Sequence, residues 1–184
     1  AIFTILFSNA DLKSGFVKNT AGQVRNRFGL VAAKAVAVVL YTILALAIFA
    51  ILEMISARVL FGYLEWGNVG EFLSYFGIQA VLHCAFMIIL TAASVILRSS
   101  VISMLLGMCL CMNFTMMLYG MVNLLIQKLG FESFDFMAHT VTGKISMIPM
   151  EMSGADIRSA LMIAAAFIAG ALALAGAVFQ KRDV

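Results

Sequence analysis

The residue types that most often perform chemistry are few in this chain, and their spacing does not favour a reactive site. His83 and Cys84 are neighbours, so on a helix their side chains point about 100° apart. Cys109 and Cys111 lie about 200° apart on a helix, so they cannot grip one metal ion together. We interpret all three cysteines as small apolar residues, because an odd number inside apolar runs is not a disulfide framework.

Motifs for catalysis and nucleotide binding are also missing from the sequence. There is no G-x-x-x-x-G-K-[ST] phosphate loop, no H-E-x-x-H pair, and no set of Ser, His and Asp on a plausible face. The sequence therefore predicts no catalytic residue, no metal site and no cofactor bound by this chain.

Two small polar sets lie inside long apolar runs. The first is Gln79, His83 and Ser94 in the run 75–97, and the second is Asn113, Gly120 and Asn123 in the run 101–126. Each set falls on one face of a helix, the first within about 60°. Such faces could line a path or an interface between protomers. They could also make ordinary hydrogen bonds between helices, worth about 0.6 kcal/mol each, and we favour that interpretation.

Methionines in the run 101–126 also leave two interpretations open. They are Met104, Met108, Met112, Met116, Met117 and Met121. A row of thioethers could carry a soft metal ion, but methionine more often serves as adaptable packing, which we favour.

The elements that must position these residues are membrane helices. Of 184 residues, 64% are hydrophobic and 11% are charged, against about 45–50% and about 25% in soluble domains. Four continuous apolar runs are each long enough to cross a bilayer as a helix. The runs are 30–52, 75–97, 101–126 and 159–179. The sequence predicts an all-α, polytopic transmembrane bundle forming a single domain over 1–184.

The basic residues indicate an orientation for these four spans. One side carries Lys13, Lys18, Arg25, Arg27, Arg98, Lys181 and Arg182. The other side carries Arg58, Lys128, Lys144 and Arg158 with most of the acids, namely Glu53, Glu65, Glu71, Glu132, Asp135, Glu151 and Asp156. The segment 8–29, the Arg98 turn and the C-terminus are therefore predicted to be cytoplasmic.

Three features are predicted in the outer loop and the last run. The loop 127–158 is too long for a simple connection, so we expect one or two short helices in it. Ser153 to Asp156 resembles a capping box before the last span. In that span, Ala165, Ala169, Ala173 and Ala177 form a small-residue stripe that predicts a packing seam.

The segment 8–34 is the most informative stretch. Ser8, Asn9 and Asp11 are good helix caps, so the sequence predicts a short helix over about 10–18 with an apolar stripe of Leu12 and Phe16. One interpretation is an amphipathic connector lying on the membrane. The other, which we favour, is a helix that plugs into a soluble partner.

The pattern of this segment resembles that of ATP-binding-cassette export permeases of the second class. The residues that show this resemblance lie between two spans, and they are Asp11, Gly15, Lys18, Asn19, Arg25, Arg27 and Lys34. The ending Phe179 to Asp183 and the very short turn 98–100 are similar to that family as well. Departures are Asp11, where many members carry Glu, and Thr20 to Gly22, where many carry a different turn.

The resemblance implies a fold, partners and a substrate. Family members have six spans, so the four runs would be spans three to six, and the apolar stub Ala1–Phe7 would be the end of span two. The partners would be two copies of an ATPase subunit, which binds ATP and Mg, a second permease protomer, and membrane lipid, with no nucleic acid. The implied cargo is an amphipathic or antimicrobial-type peptide, and the implied location is the bacterial cytoplasmic membrane.

The resemblance also implies residue roles. The helix that couples to the ATPase would comprise Asp11, Leu12, Lys13, Gly15, Phe16, Val17 and Lys18. Independently of the resemblance, the charge and position of Arg25, Arg27 and Lys34 predict that they sit at the membrane surface, where anionic headgroups hold each by about 1 kcal/mol.

Two other function classes stay open. A secondary transporter or channel without an ATPase would need functional charges at the membrane midplane, and none is evident in the sequence. A membrane enzyme would need a catalytic constellation, which the sequence lacks.

Overall fold

A computed structural model of the chain describes residues 1–13, 28–63, 67–112, 114–131 and 134–181, with only the backbone described for residues 11–13. Within these ranges the chain is helical and contains no strand. Its helices are α1 (Ile2–Lys13), α2 (Phe28–Phe61), α3 (Val69–Leu97), α4 (Ser100–Cys111), α5 (Phe114–Lys128), α6 (Val141–Met147) and α7 (Gly154–Gln180), with a 3-10 turn at Met137–His139.

Helix α3 is the centre of the bundle, in contact with α1, α2, α4, α6 and α7. Its start is capped by the Asn68 side chain, which accepts from the backbone N–H groups of Gly70 and Glu71. Its end is Arg98, a left-handed residue at φ 54°, and Ser99 then caps α4. A two-residue turn therefore reverses the chain, as the short predicted connection required.

Two core clusters show how the long helices are directed. One cluster joins Ile78 and Leu82 of α3 to Ala160 and Ala164 of α7. The other joins Val95 further along α3 to Val31 at the start of α2, and to Ala175 and Phe179 near the end of α7. Hence α3 and α7 run parallel, and α2 runs against both.

The bundle accordingly has two ends. The Arg98 end holds the start of α2, the turn at Arg98 and the end of α7. The Ser153 end holds the start of α3, helix α6 and the start of α7. Helix α1 runs towards the Arg98 end, because Thr4 contacts Met87 and Lys34 near the start of α2 donates to the carbonyl oxygen of Ser8.

Three of the described helices, α2, α3 and α7, are long and apolar enough to cross a membrane. Large apolar side chains cover the outside of α2, where Leu40, Leu44 and Phe49 are each 60% exposed or more. In water that surface would be costly, but lipid solvates it. The long apolar helices are those of a multi-pass membrane protein, as the composition predicted.

The third predicted span, 101–126, is not one straight helix. Its residues form α4 and α5, which meet at an angle of 72°. Neither helix alone has the roughly 20 residues that a span needs. The pair nevertheless leads from the Arg98 end, where α4 begins, to the Ser153 end, where α5 contacts the 3-10 turn. Counted as one broken span, the pair raises the number of candidate spans among the described residues from three to four.

Hydrogen bonds connect α5 to the segment that follows it. The Tyr119 hydroxyl hydrogen-bonds to Thr142 Oγ1 at 2.6 Å. The Asn123 side chain donates to Asp135 Oδ1 and accepts from the Phe136 backbone N–H, at 2.8 and 2.7 Å. These contacts hold α5 against the segment 134–147. The spacing of apolar residues in the sequence does not predict them.

The helix predicted over 10–18 was placed wrongly at its start. Helix α1 runs without interruption from Ile2 to Lys13, so Ser8 and Asn9 lie inside it and do not cap it. Both are buried, and the Asn9 amide donates to the Ile5 carbonyl oxygen at 3.1 Å. Polar residues that look like caps in sequence are here buried against α3 and α4.

The small-residue stripe of α7 does not pack within the chain. Ala165, Ala169, Ala173 and Ala177 are all exposed. The seam with α3 instead uses the neighbouring face, through Ala160, Ala164 and Ala175, which are each at most 1% exposed. Alanines occupy both faces, so spacing alone could not choose between them.

The predictions for the long loop are confirmed. The 3-10 turn Met137–His139 and helix α6 lie within 127–158. Ser153 caps α7, with its hydroxyl accepting from the Asp156 N–H and the Asp156 carboxylate accepting from the Ser153 N–H at 3.0 Å. The predicted capping box is present.

Candidate functional site

A partly open cleft of about 670 Å³ lies between α2, α3 and α6, and we call it the α2–α3 cleft. Its walls are mostly apolar, and they include Leu46, Phe49, Met54, Phe72, Phe76 and Ile145. Four polar side chains, from Glu53, Tyr75, Gln79 and His83, line the same space. A concave apolar space with a few polar groups is the usual form of a ligand site.

The position of the polar groups follows from helix periodicity. Tyr75, Gln79 and His83 are spaced by four residues, so they lie one turn apart on one face of α3. Glu53 lies one turn after Ala50 on the facing side of α2, and both line the cleft.

Gln79 is held by two hydrogen bonds and leaves one atom without a partner. Its Nε2 donates to the Tyr75 hydroxyl oxygen and to the Ile145 carbonyl oxygen, both at 3.1 Å. Because a carbonyl oxygen only accepts, this contact fixes which end of the amide is the nitrogen. The Gln79 Oε1 atom is then a buried acceptor that receives no hydrogen bond in the described chain.

His83 is oriented by its own helix. Its Nδ1 lies 2.7 Å from the Gln79 carbonyl oxygen, so Nδ1 carries the proton and donates it. In the neutral ring the other nitrogen, Nε2, is therefore an acceptor.

A second cavity of about 220 Å³ adjoins the first, since His83 and Ile145 line both. It also touches Cys111 and Thr115, on the two sides of the break between α4 and α5.

The other residues of the two predicted polar sets lie apart from the α2–α3 cleft. Ser94 is fully buried, and its hydroxyl donates to the Leu90 carbonyl oxygen at 2.8 Å. Gly120 is exposed, while Asn123 anchors the loop after α5. The Asn123 hydrogen bond, aided by the Met137 backbone N–H, holds the pKa of Asp135 below its ordinary value. Asn113 lies outside the described residues.

The sulfur-containing residues do not form a common site in the described chain. Cys84 is buried, whereas Cys109 and Cys111 are exposed. No group of three His, Cys, Asp or Glu that could hold a metal ion occurs among the residues that the structure describes. Met104 packs against the core, while Met108 and Met112 are exposed.

The predicted coupling helix lies largely outside the described residues. The described chain stops at Lys13 and resumes at Phe28, so the positions of Gly15, Phe16, Val17, Lys18, Arg25 and Arg27 are not covered. The backbone at Asp11, Leu12 and Lys13 is the last turn of α1. Lys34 is half-buried, and its ammonium donates to the Ser8 carbonyl oxygen at 2.9 Å.

Sequence reasoning missed two members of the cleft. Glu53 was assigned to the outer acidic set, and Tyr75 did not enter the polar set of α3. The spacing of Tyr75, Gln79 and His83 was a usable signal, because hydroxyl, amide and imidazole recur at every fourth residue. Nothing in the sequence brings Glu53 to the same space.

Comparisons of this chain with protein-family models, with curated proteins and with solved structures found no match.

Proposed function

We propose that this chain is the membrane subunit of an exporter that a separate ATPase drives, and that its cargo is an amphipathic or antimicrobial-type peptide. The observation that carries the proposal is the segment 8–34. There an acidic residue, a glycine and a series of basic residues lie between two apolar helices, in the order that export permeases of the second class show.

Two features of the bundle support this proposal. Helix α1 ends and α2 begins towards the Arg98 end, so the segment between them connects two helix ends on the same side. The Arg98 end also holds Lys181 just after α7, which makes it basic. Basic segments stay on the cytoplasmic side of a membrane, where a soluble ATPase would be available.

In the proposed mechanism, the α2–α3 cleft has two states that differ in the contacts between its helices. Closure of two ATPase subunits on ATP and Mg would push the segment around Leu12 and Phe16 in each of two protomers. Because that segment joins α1 to α2, the push would move α2 relative to α3 and reshape the cleft between them. A ligand bound there would then be exposed to one side or the other.

A co-purification assay tests this function. We expect Leu12→Ala combined with Phe16→Ala to abolish recovery of the ATPase with the tagged permease, and to abolish transport, while insertion is unchanged. Desolvated apolar side chains at the centre of an interface dominate binding, which is the reason for choosing these two.

The matched control is Leu129→Ala combined with Phe131→Ala, which removes the same two side-chain types from exposed positions at the other end of the bundle. This control should retain the ATPase and transport. Full ATPase recovery and full transport with the Leu12 and Phe16 double variant would overturn the coupling role.

A secondary transporter is the second candidate, and the broken helix pair favours it. Discontinuous helices near a cavity are typical of transporters driven by ion gradients, and α4 and α5 meet beside the second cavity. Reconstituted vesicles distinguish the two functions. Uptake that follows an imposed ion gradient and ignores ATP would select the secondary transporter.

A further inference from the structure

The polar groups of the α2–α3 cleft are dominated by hydrogen-bond acceptors. Both Nε2 protons of Gln79 are used, on the Tyr75 hydroxyl oxygen and on the Ile145 carbonyl oxygen. What remains of Gln79 is the buried Oε1, which receives no hydrogen bond from the residues that the structure describes. Leaving a buried acceptor unpaired costs about 1–3 kcal/mol, so a donor from a ligand would recover that free energy.

The other two groups have the same character. His83 donates a hydrogen bond from Nδ1 to the Gln79 carbonyl oxygen, so Nε2 of the neutral ring is an acceptor. The Glu53 carboxylate on the opposite wall only accepts and carries a negative charge. The Tyr75 hydroxyl accepts from Gln79 and keeps its own proton to donate.

We propose that the α2–α3 cleft binds the ammonium group of a lysine in an amphipathic peptide. An ammonium has three donors and no acceptor, and the lining residues Gln79, His83 and Glu53 offer acceptors and one negative charge. A phosphate or carboxylate ligand would meet acceptors and a like charge. The proposal rests on the exporter function for its physiological meaning, and it specifies that the cargo is cationic.

The walls of the cleft suit the rest of such a ligand. Phe72, Phe76 and Phe49 offer aromatic faces, which attract cations and bury apolar groups. The volume of about 670 Å³ lies within the range of small-ligand sites and accommodates a lysine with neighbouring apolar side chains. An amphipathic peptide carries both features next to each other.

Photo-crosslinking to the full-length protein in phosphatidylcholine nanodiscs tests the proposal. The probe is a short amphipathic peptide with one lysine and a diazirine on the adjacent apolar residue, and its partner probe carries acetyl-lysine instead. We expect the lysine probe to crosslink to the cleft, at residues such as Met54 or Phe76. It should bind more tightly than the acetylated probe by about five-fold, the effect of one partly exposed ion pair.

Two substitutions locate the effect. Glu53→Gln should weaken binding of the lysine probe by about five-fold and leave the acetylated probe unchanged, because only the charge is removed. Glu151→Gln is the matched control, since Glu151 is an exposed acid near the Ser153 end that does not line the cleft. It should change neither probe.

Several results would overturn the proposal. Equal affinity for the two probes, an unchanged affinity in Glu53→Gln, or crosslinks outside the cleft would each do so. Loss of crosslinking when phosphatidylethanolamine is added to the nanodiscs would identify the occupant as a lipid amine, which also contradicts a peptide site.

The outcome is separate from that of the exporter proposal, because binding is measured without ATPase and without ATP. Failure of probe binding with normal ATPase co-purification would refute the ligand and leave the exporter standing. Probe binding by an unsubstituted protein that recovers no ATPase would support the ligand and refute the exporter.

Discussion

Gln79 shows how one side chain joins three elements of this protein. It lies on α3, contacts Tyr75 one turn earlier, and reaches the backbone of α6 through the Ile145 carbonyl oxygen. Its backbone carbonyl also orients His83. The position of α6 against α3 therefore controls the shape of the α2–α3 cleft, so residues that hold α6 in place should matter to ligand binding without touching the ligand.

Gly143 in α6 is such a residue, and we predict that Gly143→Ala destabilises the protein. A Cβ atom at this position would overlap the Met137 carbonyl oxygen and lie 2.7 Å from Thr140 Oγ1, which caps the helix. The Met137 oxygen belongs to the backbone, so the whole turn must shift. Overpacking of this kind costs about 1–3 kcal/mol, which thermal unfolding in detergent should detect as a lower Tm.

Gly120→Ala is the control for that measurement. Gly120 lies within α5, and a Cβ atom there would meet nothing within 4 Å. Alanine favours a helix over glycine by up to about 1 kcal/mol, so this variant should be neutral or slightly more stable. A Gly143→Ala protein as stable as the Gly120→Ala protein would contradict the packing described for α6.

At the scale of elements, α7 presents alanines on two faces that have different surroundings. One face packs on α3 through Ala160 and Ala164, while the other, with Ala165 and Ala169, is exposed. Small residues allow close approach of helix backbones, but they do so only where a second helix is present.

We predict opposite outcomes for enlarging the two faces of α7. Ala164→Leu adds three carbons to a site that is 1% exposed and should destabilise the protein by about 1–3 kcal/mol. Ala169→Leu places the same side chain on an exposed surface, and its effect should stay within about 0.5 kcal/mol. Unfolding in detergent compares the stabilities of the two variants directly. A larger loss of stability in Ala169→Leu than in Ala164→Leu would contradict the assignment of the packed face.

At the scale of the whole molecule, the directions of the helices determine which segments share a side of the membrane. The starts of α2 and α4 and the end of α7 lie at the Arg98 end, whereas α6 and the start of α7 lie at the Ser153 end. The segment between the start of α4 and the start of α7 therefore leads from one end of the bundle to the other, and we predict that the bent pair α4–α5 makes this crossing. A re-entrant pair would return to the Arg98 end and bring the loop after α5 with it.

Cysteine labelling in intact cells tests that arrangement. In a protein whose native cysteines are replaced, we expect Glu151→Cys to react with an impermeant reagent, because the basic residues predict that the Ser153 end faces outwards. Thr20→Cys and Lys181→Cys should stay protected until the cells are opened. Labelling at 181 with protection at 20 and 151 would mean that α4–α5 turns back, because α7 would then end outside. Labelling at 20 and 181 without labelling at 151 would invert the orientation.

The sequence by itself determined that this protein has membrane helices, and it determined where most of its helices lie. Long uncharged apolar runs predict membrane helices because burying a polar or charged group in lipid is costly, and that cost depends on composition alone. The capping box at Ser153 and the turn at Arg98 were equally visible, since both depend on residues within one turn of the chain.

Only the tertiary structure decided which of several equivalent surfaces are used. The apolar run 101–126 is compatible with a straight helix, whereas the structure divides it into α4 and α5 and bonds Tyr119 and Asn123 of α5 to the segment 134–147. Alanines on two faces of α7 look alike in sequence, yet one face meets α3. Glu53 and Gln79 share a cleft because α2 packs against α3. Such choices depend on contacts between residues far apart in the chain, and helical periodicity describes only the near ones.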